Sequence, residues 1–223
     1  MMFSLTLFHD DLWLSPFVTS VYVALKEKGV PFSTEPVSLA DGEQRQPAFA
    51  SHTLTGRVPA IRLNLPEGRH FWLSESTAIV DYLDECFVPP LFGRALPLDI
   101  EERARARQVM GFVRTDVRDI PVERPTSTLF YPDKRKDLPP LSMRGKLAAQ
   151  RLITIADRFV HEGRNTICSE WSVADVDLTV MLQRLALNGE HLPSKLARYA
   201  EHNWRRPSVQ AFIDLPRAAY HDY

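Results

Sequence analysis

The sequence predicts an α/β domain over residues 1–87, a linker over 88–98 and an all-helical domain over 99–223. Three observations carry this division. Up to residue 87, short apolar runs of strand period alternate with segments of helical period. Between Cys86 and Leu98 stand Pro89-Pro90, Gly93 and Pro97, residues that interrupt either period. Beyond that stretch, every periodic segment has helical spacing.

Phe3-Ser4-Leu5-Thr6-Leu7-Phe8 alternates with period two and reads as a strand. Ser15 to Lys28 reads as a helix, because Val18, Val21, Tyr22 and Leu25 fall on one face. Ser15 suits the N-cap, Pro16 the first helical position, where a missing N–H is harmless, and Gly29 the left-handed residue that ends a helix. Val30 to Val37 is a second strand; Pro31 and Pro36 cannot donate to a ladder, which places it at a sheet edge. Pro59–Leu65 and His70–Leu73 flank Pro66-Glu67-Gly68, a hairpin signal. Ser76 to Phe87 puts Ile79, Val80 and Leu83 on one helical face and completes the α/β unit.

In the second domain, Ala106, Val109, Met110, Val113, Val117 and Ile120 form one stripe on a helix expected to start near Asp99. Arg103, Arg107, Arg114 and Arg118 lie off that stripe. Pro121 to Pro140 is long and proline-rich for a connection in a compact domain, so it is expected to be functional or mobile. Helices are expected again over Ser142–His161, Ser172–Asn188, Ser194–His202 and Pro207–Leu215. Val173 to Leu187 is apolar nearly all round, as a helix at the centre of a bundle is. Ser172 followed by Asp175 is a capping-box pattern, with Trp171 and Val176 spaced as a hydrophobic staple.

Composition narrows the function classes. Hydrophobic residues make up 44% and charged residues 25% of the chain, proportions of a globular protein. A net charge of −1 without a basic run argues against a nucleic-acid partner. No apolar stretch approaches the length of a membrane span, and Met1-Met2-Phe3-Ser4 lacks the start of a secretory signal. The two cysteines, Cys86 and Cys168, form neither a CxxC motif nor a metal-ligand set with the scattered histidines. Free thiols of this kind fit a reducing compartment, and the cytoplasm is the expected location.

Four stretches resemble the cytosolic glutathione S-transferases, in order and at that family's spacing. Ser15-Pro16-Phe17-Val18 through Gly29-Val30 looks like the family's first helix, in phase with the omega class, where the first residue is cysteine. Gly42-Glu43-Gln44 through Gly56-Arg57-Val58-Pro59-Ala60-Ile61 resembles the theta and zeta stretch that ends in Val-Pro. Leu73-Ser74-Glu75-Ser76-Thr77-Ala78-Ile79 is similar to the Glu-Ser-x-Ala-Ile signature, and Ser172-Val173-Ala174-Asp175 to the capping motif of the central helix. The likeness covers nearly the whole chain and is to a serine-type, bacterial-like member. It implies a thioredoxin-like N-terminal domain that holds glutathione and a helical domain that covers a second substrate. The chain also departs from the family. Thr53-Leu54 stand where Asn-Pro is usual. Phe17 stands where zeta isomerases and the beta class carry cysteine, which argues against maleylacetoacetate isomerase activity.

The chemistry asked of such a site is definite. Only a thiolate attacks electrophiles, and a free thiol titrates near ~8.5. Lowering that by roughly two units takes about 2.7 kcal/mol of differential stabilisation. A hydroxyl donor at a helix N-terminus supplies most of it. By spacing alone Ser15 is a cap; the resemblance puts it at the catalytic position, and one serine oxygen can serve both ends. Pro59 has a plain reading as the first residue of a strand. The resemblance implies instead a cis peptide after Val58, with the Val58 N–H and C=O turned to pair with the cysteinyl part of glutathione. Glu75 and Ser76 are ordinary helix-start residues. The resemblance assigns the γ-glutamyl ammonium to Glu75 and the γ-glutamyl carboxylate to Ser76 and the helix N-terminus. Gln44 and Arg57 align with residues that reach the glycyl end, although a lone surface arginine is as often simply solvated. Trp13, Leu14, Phe112, Arg114 and Arg118 are candidate walls for the second substrate, with core packing the competing role for the aromatics; Asp175 reads as structural.

The implied activity is attack of glutathione on a small hydrophobic electrophile, with reduction of organic hydroperoxides as a companion. A homodimer is implied, with no cofactor beyond glutathione as co-substrate and no metal. A non-catalytic adaptor on the same fold is the competing reading. The joint presence of Ser15, Val58-Pro59 and Glu75-Ser76 argues against it. A glutaredoxin-like reductase would want cysteine at position 15.

Overall fold

The computed structural model describes residues 4–222. The chain forms two compact units: one runs up to Ala95 and takes in the tail from Asp214 on, the other is Leu96–Ile213.

The first unit is built on four strands: β1 (Ser4–Asp10), β2 (Ser33–Val37), β3 (Ala60–Asn64) and β4 (His70–Ser74). Phe3, the first residue of the expected strand, lies outside the described residues. The sheet order is β2-β1-β3-β4, with β2 parallel to β1 and the other pairings antiparallel. The proline-bearing β2 is therefore an edge strand, as the sequence predicts, and only its last residue, Val37, is buried. Period two in β1 sends side chains to both faces. Helix α1 (Pro16–Lys28) and helix α3 (Ser76–Cys86) pack on each other and reach β1 and β3. A second cluster joins Phe8, Val37 and Ala60 to Phe49, with Trp72 packed against it. Phe49 belongs to the short helix α2 (Pro47–Ala50). Behind α1, the buried Lys28 ammonium donates to Asp84 Oδ1 (3.2 Å) and to the Gly93 carbonyl (2.9 Å). Asp84 Oδ1 also accepts the Ala95 amide at 2.9 Å. Burial holds the Lys28 ammonium below its ordinary range, and the facing Asp84 carboxylate works in the opposite direction.

The second unit contains α4 (Ile100–Thr115), α5 (Asp119–Glu123), α6 (Ser127–Phe130), α7 (Met143–Phe159), α8 (Val173–Ala186), α9 (Ser194–Trp204) and α10 (Pro207–Ile213). The stripe expected on one continuous helix is buried throughout, but the helix breaks after Thr115 and α5 begins at Asp119. The cause is Pro121: it has no N–H, and its ring would strike the carbonyl of Val117 in an unbroken helix. The proline-rich stretch that follows is anchored. Buried Arg184 of α8 donates to the Arg124 carbonyl and to Thr126 Oγ1, while Arg124 pairs with Glu190.

Helix α8 is the hub, meeting α4, α5, α6, α7 and α9. Its cap is a buried carboxylate: Asp175 accepts the Ser172 amide (2.9 Å), the Ile167 amide (2.8 Å) and the Tyr199 hydroxyl (2.7 Å). Among the described residues, no helix is long and apolar enough to cross a membrane.

Candidate functional site

The turn from β1 into α1 is set by one acid. Asp10, 1% exposed, accepts the Leu14 amide on one carboxylate oxygen and the Ser15 amide on the other, the latter at 3.0 Å. Ser15 is thereby held at the N-cap, where its Oγ accepts the Val18 amide at 3.3 Å. An oxygen that accepts from Val18 still carries its own proton, which remains available to a ligand at the positive end of α1. Within the same turn Trp13 adopts φ 54°, stacks on His9 with ring centroids 3.3 Å apart and meets Tyr22 edge-on. Burial lowers the His9 pKa, against the Asp10 carbonyl that its ring engages.

Ser15 opens onto a cleft of about 690 Å³ in the first unit. Gln44, Arg57 and Val58 line it too, together with Arg45 and the loop 53–56. No acidic residue lines this cleft. Neither Arg45 nor Arg57 makes an ion pair among the described residues, so two guanidinium groups without an acid partner line the cleft. Val58-Pro59 is a cis peptide, and the Val58 N–H and C=O take no part in the hydrogen bonding of the described residues. Gln44 donates to the Leu39 carbonyl at 3.3 Å, with its Oε1 buried and unpartnered.

Glu75 and Ser76 stand at the start of α3. Glu75 is the N-cap, in the left-handed region at φ 70°, and its carboxylate accepts the Thr55 hydroxyl at 3.0 Å. Ser76 is buried. Loop 53–56 is bonded to the α3 start at Leu54 and Thr55, so Glu75 stands beside the cleft wall.

Of the five residues expected around a second substrate, Trp13 and Leu14 belong to the first unit and Phe112, Arg114 and Arg118 to the helical unit. Trp13 and Leu14 are buried in the first unit, the core-packing role. Arg114 is ion-paired with Asp177 at 2.7 Å, and Arg118 is an exposed residue at the start of α5. Phe112 lines a separate cavity of about 560 Å³ in the helical unit with Arg105, Arg158 and Phe159. No cysteine lines the cleft at Ser15. Cys168 is buried in the helical unit, which pushes its thiol up to about 11. Sequence reasoning missed Asp10, Arg45, Thr55 and Ser74. For Asp10 a signal exists: an acid at a strand end commonly turns back on the amides of the following loop.

A mixed sheet in this order with flanking helices, followed by a helical bundle, defines a two-domain protein with a thioredoxin-like first domain. Family models agree on both halves. The glutathione S-transferase N-terminal domain matches residues 14–86, and the glutathione S-transferase C-terminal domain matches residues 99–218. A crystal structure of a glutathione transferase homologue from Burkholderia, with bound glutathione, is 35% identical, covers 94% of this chain and 96% of that one, and superposes with a TM-score of 0.74. A maleylacetoacetate isomerase of Pseudomonas aeruginosa is 38% identical over 99 residues, 44% of this chain and 43% of the relative. Glutathione S-transferase T1 of Arabidopsis thaliana is 33% identical over 99 residues, 44% of this chain and 38% of the relative. The chain thus spans less than half the length of the curated relatives it matches. The chain belongs to the glutathione S-transferase family.

Proposed function

We propose that this chain is a glutathione transferase that binds glutathione in the cleft at Ser15 and activates its thiol for attack on small hydrophobic electrophiles. The observation that carries this reading is the cleft itself. It combines a hydroxyl proton at a helix N-terminus, an unpaired main-chain N–H and C=O at Val58, and two unpaired arginines with no acid among them. Glutathione asks for these three things: a donor for its thiolate, a strand-like partner for its cysteinyl unit and cations for its glycyl carboxylate. Arg57 and Arg45 take the glycyl end with Gln44, Val58 before Pro59 takes the middle, and Glu75 and Ser76 take the γ-glutamyl ammonium and carboxylate. The bound glutathione of the Burkholderia homologue supports glutathione as the ligand.

Reduction of organic hydroperoxides belongs to the proposal, since it needs little beyond the same activated thiolate. A homodimer in the cytoplasm completes it, with glutathione as the co-substrate. Isomerisation of maleylacetoacetate does not, because Phe17 replaces the cysteine of that class. An adaptor without chemistry would leave the paired set of Ser15, Val58 and Glu75 with nothing to do.

Titration calorimetry with glutathione tests the placement. Glu75→Ala and Ser76→Ala should each weaken binding by roughly 1–3 kcal/mol, the usual loss for a charge-assisted contact. Wild-type affinity in both variants would reject it.

A further inference from the structure

The loop between α2 and β3 carries Arg57 and Val58, and two of its hydrogen bonds run to the end of β4 and the start of α3. The Leu54 amide donates to Ser74 Oγ at 3.0 Å, and the Thr55 hydroxyl donates to Glu75 Oε1 at 3.0 Å. Ser74 is 7% exposed and ends β4, opposite Ala60 in the sheet register, so it is fixed before the loop meets it. Gly56, at φ +61°, lets the loop approach the other wall: a Cβ there would sit 3.0 Å from the Gln44 carbonyl. Consecutive residues thus bond the start of α3 and crowd the segment bearing Gln44.

We propose that Ser74 and Thr55 are positioning residues for glutathione, forming a two-bond latch that sets the distance between the cations at Arg57 and the acid at Glu75. This rests on the glutathione reading above and deepens it. The ligand needs its two ends held at one separation, and those ends are carried by a loop and a helix start that this latch joins side chain to backbone and side chain to side chain. Thr55 occupies one oxygen of Glu75, which fixes the carboxylate rotamer and leaves the second oxygen to the γ-glutamyl ammonium. Leu54 supplies a backbone N–H that a proline at this position would lack. Its side chain, 83% exposed, contributes nothing to the latch.

The experiment is steady-state kinetics with glutathione varied at a fixed aryl halide electrophile, with calorimetric Kd beside it. Ser74→Ala and Thr55→Val should each raise KM and Kd for glutathione roughly 3–10-fold, the loss of one hydrogen bond. The turnover number at saturating glutathione should stay within about twofold, since neither residue touches the thiol. Ser74→Thr, which keeps the acceptor, should restore wild-type KM. The Leu54 amide should be protected from hydrogen exchange in the free wild-type protein and lose that protection in Ser74→Ala. A merely structural role would lower the melting temperature in Ser74→Ala and Thr55→Val with KM and Kd unmoved; that outcome overturns the proposal alone. So does a fall in turnover at unchanged KM. Wild-type protein that fails to bind glutathione in the same calorimeter overturns the underlying reading, and this inference falls with it.

Discussion

At the scale of single residues, Ser15 shows what a side chain must do to be more than a cap. Its oxygen accepts from Val18 at 3.3 Å, which leaves the hydroxyl hydrogen free to point at a thiolate. Ser15→Ala should therefore raise the pKa of bound glutathione's thiol and cut turnover while affinity stays near normal. Titration of the thiolate's ultraviolet absorbance in the complex reads this directly. Alanine at an N-cap costs about 1 kcal/mol of stability, so melting temperature is measured alongside. Ser15→Cys places a thiol at a helix N-terminus, where its pKa falls; that variant should gain thiol-transferase activity and lose conjugation. An alanine variant with an unchanged titration and full turnover would make Ser15 a cap only. Ser15, Val58 and Glu75 are picked out in the sequence by the likeness of their short motifs to the family; by type and spacing alone they read as a cap, a residue before a strand and a helix start. Asp10 and Ser74 are less legible: their work is to receive backbone amides, and a β4 serine meeting an amide 20 residues upstream leaves no local mark.

At the scale of elements, the periodic segments were legible and the break after Thr115 was not. The stripe of the first long helix stays in phase through Val117 and Ile120, so periodicity alone predicts one helix. The break comes from a backbone conflict at Pro121 that side-chain spacing does not register. The central helix α8 was legible from its all-round apolar sequence and its cap, but the burial of that cap was not. Burial pushes the Asp175 carboxyl up to about 6, while hydrogen bonds from Ser172, Tyr199 and Ile167 pull the other way. An unfolded aspartate titrates near ~3.9. As pH rises between these values the unfolded chain releases its proton first, so the part of the stability that depends on protonation of Asp175 is fully present below about pH 4 and is lost by the time pH passes 6. The free energy of unfolding of wild type, measured against Asp175→Asn, should fall across that window by about 2–3 kcal/mol. A flat difference would show that the buried carboxyl keeps an ordinary pKa. Asp175→Ala strands two amides and a hydroxyl, and should destabilise the protein by about 3 kcal/mol or more at any pH, with glutathione affinity intact in the folded fraction.

At the scale of the whole molecule, the proposed dimer must account for apolar side chains that a lone chain leaves in water. In the helical unit, Val122 of α5 is 78% exposed, and Met143 and Leu147, one turn apart on α7, are 73% and 64% exposed. Helices α5 and α7 pack together, so these side chains ride on neighbouring elements rather than on scattered loops. Salt bridges from Arg144 to Asp119 and from Arg151 to Asp116 join α7 to the α4–α5 region. An apolar set interleaved with charge has the composition of an interface rim and core. Three side chains fall short of the ~800 Å² per partner that a stable association buries, so on the dimer proposal they would form only one part of a two-fold contact, the commonest soluble assembly. Light scattering at micromolar concentration should give twice the 25.5 kDa of the chain. Leu147→Glu combined with Met143→Lys should move that mass toward the monomer while circular dichroism stays unchanged, because neither side chain contributes to the core. A wild-type mass of one chain would end the dimer proposal. A doubled mass that survives both substitutions would keep the dimer and take these helices out of its interface.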